Sequence, residues 1–154
     1  MELNYKNDKE DGLSIWWYAN GQKQGERSYK DGKKHGLELL WRENGTKESE
    51  TNYFNGKKEG LETEWLASGK KWTRRYKNDE KDGLSTLWRE DGNKETEANY
   101  VNGKQEGLDT AWHDNGNKLA EANYKNGERD GLSTYWRKNG SKLSESGYKN
   151  GKRD

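Results

Sequence analysis

Two histidines and a dense set of charged side chains are the residues of this sequence that could carry chemistry. The histidines, His35 and His113, have no second metal ligand and no acid–base partner at a defined spacing. The 29 Lys and Arg and the 28 Asp and Glu recur at equivalent places along the chain, so they single out no unique pair of carboxylates. There is no cysteine, which excludes a thiolate nucleophile. The sequence therefore predicts no catalytic residue, no metal and no cofactor.

The segment from Lys70 to Lys77 departs from the charge balance of the chain, whose net charge is +1. Its eight residues include five cations and two aromatic residues. Arg and Trp are frequent at the energetic centres of interfaces, so the segment is a candidate contact for an anionic surface, either an acidic protein patch or nucleic acid. The alternative is that this segment has only diverged from the repeat and carries surface charge without a function. The predicted contact residues are Lys71, Trp72, Arg74, Arg75 and Lys77.

A second irregularity lies near the start of the chain, where Ile15-Trp16-Trp17-Tyr18 concentrates aromatic residues. Trp16 and Tyr18 could cover the exposed N-terminal end of a stacked sheet. The functional alternative is that they receive a partner strand at that edge.

The chain of 154 residues repeats itself with a period of 24. Tyrosine begins each unit, a Gly-Leu dipeptide follows, and tryptophan comes twelve residues after the tyrosine. One step is shorter by a residue, which is missing between Lys71 and Tyr76. We predict one repeat domain over 1–154 with about six units. The units begin at Tyr5, Tyr29, Tyr53, Tyr76, Tyr100 and Tyr124, with a partial unit from Tyr148.

Each unit contains two turn signals, Asn-Gly or a close relative, which alternate at spacings of 13 and 11 residues. We call the turns that follow the tyrosines the first series, as at Asp31-Gly32, and those that follow the tryptophans the second series, as at Asn44-Gly45. These dipeptides are typical of β-hairpins. The spacing leaves room for strands of about 8–10 residues and for no helix. We therefore predict an all-β fold, an elongated single-layer antiparallel β-meander of about thirteen strands.

The alternation of residues along the strands predicts how the aromatic residues are arranged. If every turn is a three-residue loop, the repeated Tyr, Leu and Trp all point to one face, which glycines curl into an aromatic groove. The other face then carries columns of Glu and Lys, with Arg74 or Arg75 near the Glu column. The missing residue after Lys71 should produce a local bulge or kink. The aromatic ladder, interpreted as mainly structural with a partial role in binding, comprises Tyr29, Trp41, Tyr53, Trp65, Tyr76, Trp88, Tyr100, Trp112, Tyr124 and Trp136.

The unit Y-K-N-G-K-x-(D/E)-G-L-x-x-x-W-x-x-N-G-x-K resembles the MORN repeat variant of bacterial proteins, often described as antitoxins of toxin–antitoxin systems. The resemblance covers essentially the whole chain. It implies consecutive β-hairpins in a single-layer sheet that serves as a binding scaffold, with no catalytic residues to carry over. It also implies links to membrane lipids and protein assembly, as in eukaryotic relatives.

We therefore expect a cytoplasmic, non-catalytic protein that docks on a partner, such as a toxin- or nuclease-like enzyme, and inhibits it sterically. One alternative is an assembly or surface module that binds carbohydrate or lipid headgroups through the Trp/Tyr groove. A second is nucleic-acid binding through Lys70 to Lys77. The sequence contains no transmembrane segment, and it leaves open whether the protein is a monomer or an edge-paired dimer.

Overall fold

The computed structural model describes residues 2–154, which form strands joined by turns. The elements are β1 (Tyr5–Lys6), β2 (Lys9–Glu10), β3 (Gly12–Trp17), β4 (Lys23–Lys30), β5 (Lys33–Trp41), β6 (Lys47–Phe54), β7 (Lys57–Trp65), β8 (Lys71–Lys77), β9 (Glu80–Trp88), β10 (Lys94–Val101), β11 (Lys104–Trp112), β12 (Lys118–Lys125), β13 (Glu128–Trp136), β14 (Lys142–Lys149) and β15 (Lys152–Arg153).

Thirteen strands, β3 to β15, form one antiparallel sheet in which every strand pairs with its neighbours in the sequence. β1 and β2 form a separate two-stranded hairpin. The N-terminal segment also touches the edge of the large sheet, where the backbone groups of Glu2 and Ile15 exchange hydrogen bonds of 2.8 and 3.1 Å. The all-β prediction and the meander of about thirteen strands are confirmed.

The two series of turns differ in length. Around Asp31-Gly32 the flanking residues Lys30 and Lys33 pair directly, so the first-series turn has only two residues, and both have positive φ, 50° and 77°. In the second series, Arg42 N–H donates to Thr46 O at 2.8 Å across a three-residue loop. The predicted loop length is correct for the second series and wrong for the first.

Register shows that the tyrosines and the tryptophans lie on opposite faces of the sheet. Tyr53 lies opposite Gly36, and the neighbouring pairs continue in step to Leu40 opposite Ser49. Trp41 follows Leu40 directly, so its side chain leaves the other face. The prediction of a single aromatic face is wrong, and Tyr and Trp do not share a groove. The physical reason is the two-residue turn, which shifts the alternation of side chains by one residue.

We name the two faces by their repeated aromatic residues. The Tyr face carries Tyr29, Tyr53, Tyr76, Tyr100, Tyr124 and Tyr148. The Trp face carries Leu13, Trp17, Leu37, Trp41, Leu61, Trp65, Leu84, Trp88, Leu108, Trp112, Leu132 and Trp136. The predicted Glu column also lies on the Trp face, because Glu50 pairs with Leu39 and Thr63.

The missing residue in β8 removes a bulge. Even-numbered strands β4, β6, β10, β12 and β14 each carry one unpaired residue near the start, and between β7 and β8 the register runs without a shift. The prediction of an added bulge or kink is therefore wrong. Thr73, opposite Thr63, takes the place that the repeat gives to glutamate, and Arg74 takes the place of Thr51. Of the two arginines predicted near the Glu column, Arg75 lies there, two residues from Thr73 on the same face, and Arg74 does not.

The interior of this single layer is small and polar. Among residues 2–154, no large side chain is fully buried, and the most buried positions include Ser14, Ser133 and Glu38, which are 2–5% exposed. The repeated leucines, which were predicted to line the aromatic groove, are exposed. Stability must therefore come largely from hydrogen bonds and packing between successive strands and repeats.

Successive repeats are joined at both margins of the sheet. In the first series, Gly56 N–H donates to Lys34 O of the preceding repeat at 2.8 Å. The acidic residue before Gly-Leu accepts a second bond from the next turn, for example Glu59 from Asn78 N–H at 3.0 Å. The same contact recurs at Asp11, Asp82, Glu106 and Asp130.

Candidate functional site

The predicted contact segment in β8 is divided between the two faces. Lys71, Thr73 and Arg75 lie on the Trp face, because Lys71 pairs with Trp65 and Trp88. Trp72 and Arg74 lie on the Tyr face. Lys77, at the end of β8, is exposed and lies opposite Glu80. The structure therefore does not bring the five predicted residues together on one surface.

Arg74 is engaged within the Tyr face. Its Nη1 lies 3.1 Å from a carboxylate oxygen of Glu62 and 2.9 Å from one of Glu64, and its side chain is only 19% exposed. The guanidinium also lies 4.8 Å from the ring centre of Trp72. Lys58 is a second partner for Glu62, at 2.5 Å. The charge of Arg74 is thus compensated inside the protein.

Burial and pairing change the acidity of this network. Burial raises the pKa of Glu62, but the hydrogen bonds from Lys58 and Arg74 outweigh it and leave the pKa below its usual value. Burial and the nearby Glu62 raise the pKa of Tyr76. A shallow depression of about 350 Å³ over this network is lined in part by Glu64 and Leu40.

The preceding repeat contains a similar network. Glu38, which is 5% exposed, is paired with Arg27 and lies 3.3 Å from Lys34 Nζ. Arg27 also donates to the Tyr29 hydroxyl at 2.9 Å. Burial and the charge of Glu38 raise the pKa of Tyr53. On the Tyr face of these two repeats, Arg27, Lys34, Lys58 and Arg74 are therefore all paired with carboxylates.

Trp16 packs on the Tyr face near the β3 edge. It lies over Gly25, where any side chain would overlap the Trp16 ring, and Arg27 lies 5.1 Å from its ring centre. A cavity of about 270 Å³ next to it is lined by Leu3 and Tyr29, among others. Trp16 thus lies near the N-terminal end, where the sequence placed it.

Tyr18 joins two repeats. Its hydroxyl donates to Trp41 O, the tryptophan carbonyl of the following repeat, at 2.8 Å. Tyr18 directly follows Trp17, and in other repeats too the side chain of the residue after the tryptophan contacts the tryptophan carbonyl of the following repeat. Arg42 and Arg89 make this contact, and His113 Nε2 lies 3.1 Å from Trp136 O. The sequence predicts no partner for His113, but the structure gives it the place of these arginines.

His35 occupies the position before Gly-Leu. In five other repeats this position holds the Asp or Glu whose carboxylate accepts a hydrogen bond from a backbone N–H of the next turn. Its ring packs against Phe54 with centroids 5.1 Å apart. Its Nδ1 is buried, and no partner for it lies within residues 2–154. The turn at Asn55 therefore lacks the carboxylate contact that the equivalent turns have.

On the Trp face, lysines lie over tryptophans of the following repeat. Lys47 Nζ is 5.3 Å from the ring centre of Trp65, and Lys71 Nζ is 5.6 Å from that of Trp88. In five of the even-numbered strands this lysine is also paired with a glutamate of its own strand: Lys23 with Glu26, Lys47 with Glu50, Lys94 with Glu97, Lys118 with Glu121 and Lys142 with Glu145. β8 has Thr73 at the glutamate position, so Lys71 lacks this pair.

A line of exposed leucines crosses the Trp face. This leucine stripe consists of Leu13, Leu37, Leu61, Leu84, Leu108 and Leu132, whose exposed fractions are 37–55%. One leucine occurs on every second strand, which spaces them about 10 Å apart. Sequence reasoning missed the stripe. The available signal was the glycine before each leucine, which has positive φ (96° at Gly36) and coincides with an irregular register beside the leucines from Leu37 onward.

The described residues offer little for other chemistry. Within residues 2–154, no group of three or more His, Asp or Glu is placed to hold a metal ion. The same part of the chain has no helix that could cross a membrane.

Comparison with known proteins finds similarity to one family model in part of the chain. The model of the MORN repeat variant matches residues 10–31, 34–55 and 105–126. These three MORN-type segments lie at equivalent places in the structure, each covering an odd-numbered strand, a second-series turn and the strand that follows. A search of curated proteins gives no match. The MORN-type repeats and the antiparallel hairpins support a repeat scaffold or binding module.

Proposed function

We propose that this protein is a non-catalytic scaffold that docks on a partner protein through the Trp face and blocks that partner sterically, as an antitoxin-like inhibitor of a toxin- or nuclease-like enzyme in the cytoplasm. The observation that carries the proposal is the leucine stripe. Six leucines with 37–55% exposure line up on one face of a continuous sheet. Extended apolar surface of this kind marks interaction sites in soluble proteins.

The surroundings of the stripe support a protein partner. The neighbouring tryptophans are held under lysines, so the face is rigid and has polar groups next to its apolar stripe. Protein interfaces combine an apolar centre with a polar rim in the same way. A sheet that pairs every strand with its sequence neighbours presents this surface without rearrangement.

The other predicted contact residues lie elsewhere. Trp16 and Arg74 have neighbours within the Tyr face, and Tyr18 bonds the next repeat. Binding through these residues remains a prediction. The Trp face is the stronger proposal because its leucines have no comparable internal role.

The test is capture of the partner from a lysate of the source organism, followed by reconstitution. We expect one protein to form a stoichiometric complex and to lose its activity on binding. Replacing Leu108 and Leu132 with serine should abolish the complex. The matched control is Tyr135→Glu, an exposed position of the Tyr face at which Glu64 is the equivalent residue. A complex that survives the double serine variant, or a bound enzyme that stays active, would contradict the proposal.

A further inference from the structure

β8 differs from the other even-numbered strands in the charge it places on the Trp face. Those strands carry a Lys–Glu pair there, whereas β8 carries Lys71 and Arg75 with no acidic residue of its own on that face. Arg75 is exposed, and no ion pair or hydrogen bond to its side chain occurs within residues 2–154. The deletion in β8 thus leaves a local excess of two positive charges.

Arg75 lies within the leucine stripe. It pairs across the strands with Leu61, and its side chain packs beside Gly83, the residue before Leu84. Leu61 and Leu84 are 43% and 52% exposed. The equivalent positions in other repeats are uncharged: Ser28, Asn52, Asn99, Asn123 and Gly147. The stripe therefore contains one cation between two exposed apolar side chains.

We infer that this part of the stripe recognises an acidic peptide segment of the partner, which places apolar side chains on Leu61 and Leu84, one carboxylate on Arg75 and a second carboxylate on Lys71. This inference rests on the proposed function and adds the chemistry of the partner. Arg binds carboxylates with two parallel hydrogen bonds, and Arg is enriched at the centres of interfaces. Because the leucines of the stripe repeat, they alone do not determine where along the stripe the partner binds. The carboxylate determines that position.

The observations favour a peptide over the other polyanions. Recognition of anionic membranes typically uses clusters of four to eight cations, and nucleic-acid affinity comes from many phosphate contacts. This site offers Lys71 and Arg75, and the third cation of β8 on this face, Lys77, lies opposite Glu80. The flanking leucines match an apolar residue, which a phosphate backbone does not supply.

A random peptide library displayed on phage and selected on the full chain tests the inference. We expect enriched peptides that combine Asp or Glu with large apolar residues. One such peptide, synthesised and measured by fluorescence anisotropy, should lose about tenfold or more in affinity for Arg75→Asn. Its binding should also weaken as salt is raised.

The variants are chosen to preserve the fold. Arg75→Asn introduces the residue of three other repeats, and Thr73→Glu restores the glutamate of the Trp face. Lys125→Asn removes one charge from an exposed position in β12 and should leave peptide affinity unchanged. Enriched peptides without acidic residues, or equal affinity for Arg75→Asn and the parent chain, would overturn the inference. So would binding of phosphatidylserine vesicles or duplex DNA that Arg75→Asn abolishes.

The same variants separate this inference from the proposed function. The Thr73→Glu, Arg75→Asn double variant could still bind and inhibit a lysate partner that the Leu108→Ser, Leu132→Ser variant loses. This result would overturn the acidic-segment inference alone. Loss of both the lysate partner and the selected peptide in the β8 variant supports it. A partner that binds every variant equally contradicts the proposed function itself.

Discussion

Arg74 and Arg75 are adjacent in the sequence, but their side chains leave β8 on opposite faces of the sheet. Arg74 is held between Glu62 and Glu64, whereas Arg75 is exposed among the leucines of the Trp face. Two neighbouring cations of the same type therefore have different physical roles. The first has carboxylate partners within the sheet, and the second is exposed.

Replacing each arginine by alanine should separate these roles. Arg74→Ala leaves the buried carboxylate of Glu62 with one partner fewer, so we expect the free energy of unfolding to fall by about 1–3 kcal/mol. Arg75→Ala should change it by less than about 0.5 kcal/mol. Urea unfolding followed by tryptophan fluorescence measures both. Equal losses in the two variants would contradict the assignment of the faces.

The register of β8 predicts where an extra residue is tolerated. A serine inserted between Lys71 and Trp72 restores the bulge that β6 has at Glu48, so we expect a cost below about 1 kcal/mol. A serine inserted between Thr73 and Arg74 moves the following residues of β8 to the other face and should cost more than about 2 kcal/mol. Unfolding midpoints of the two insertions give the comparison. Similar midpoints would contradict the register.

Restoring an acid at position 35 should order the next turn. His35→Glu provides the carboxylate that Glu59 and Glu106 direct at their turns, so the Asn55 amide should gain an acceptor. We expect slower hydrogen exchange at Asn55 N–H and about 0.5 kcal/mol of added stability. His35→Ala is the control, because it removes the ring without adding an acceptor. Exchange at Asn55 that is equally fast in both variants would contradict the contact.

Asp109 should make stability depend on pH. Burial raises the pKa of Asp109 more than the hydrogen bond from Gln105 lowers it. The folded state therefore binds this proton more tightly than the unfolded state. Asp109 accordingly destabilises the fold above its folded-state pKa, and this effect disappears below the unfolded pKa of about 3.9.

Asp109→Asn removes that effect, so the variant should be more stable than the parent at about pH 7, by less than about 1 kcal/mol. The difference should shrink as the pH falls toward about 4. Urea unfolding of both proteins across this range measures it. A variant that is less stable at neutral pH, or a difference that grows on acidification, would contradict the sign.

Gly25 and Trp16 should be coupled. Gly25→Ser introduces the residue that Ser49 provides in the next repeat, but here its side chain overlaps the Trp16 ring. We expect a loss of about 1–3 kcal/mol in the single variant. Adding Trp16→Leu, the residue type of Leu40, should recover most of it. Additive losses in the double variant would show that the two positions do not share space.

The strands, the turns and the order of the sheet could be predicted from sequence because they depend on local spacing. Asn-Gly and its relatives mark each reversal, and the distance between reversals excludes a helix. The faces could not be predicted, because they depend on loop length. A dipeptide such as Asp31-Gly32 is compatible with a two- or a three-residue loop, and the choice moves Tyr29 from one side to the other relative to Trp41.

The candidate site was predicted only in part for the same reason. Composition identified the cations of β8, and the missing residue identified the strand as unusual. Neither could show that Glu62 and Glu64 neutralise Arg74, since that contact depends on which face each residue occupies. The leucine stripe was missed because an exposed leucine and a buried one have the same sequence pattern, and the glycine before each leucine was interpreted only as a bend in the sheet.

The meander also determines how the molecule responds to force. Its sequence-ordered strands place the first and last strands of the large sheet at opposite edges, and each strand is bonded to its sequence neighbours. Tension applied at the two ends would load the outermost hydrogen bonds one pair at a time instead of shearing many at once. The protein should therefore unzip in small steps at low force, and a bound partner that spans several repeats would act as a mechanical clamp.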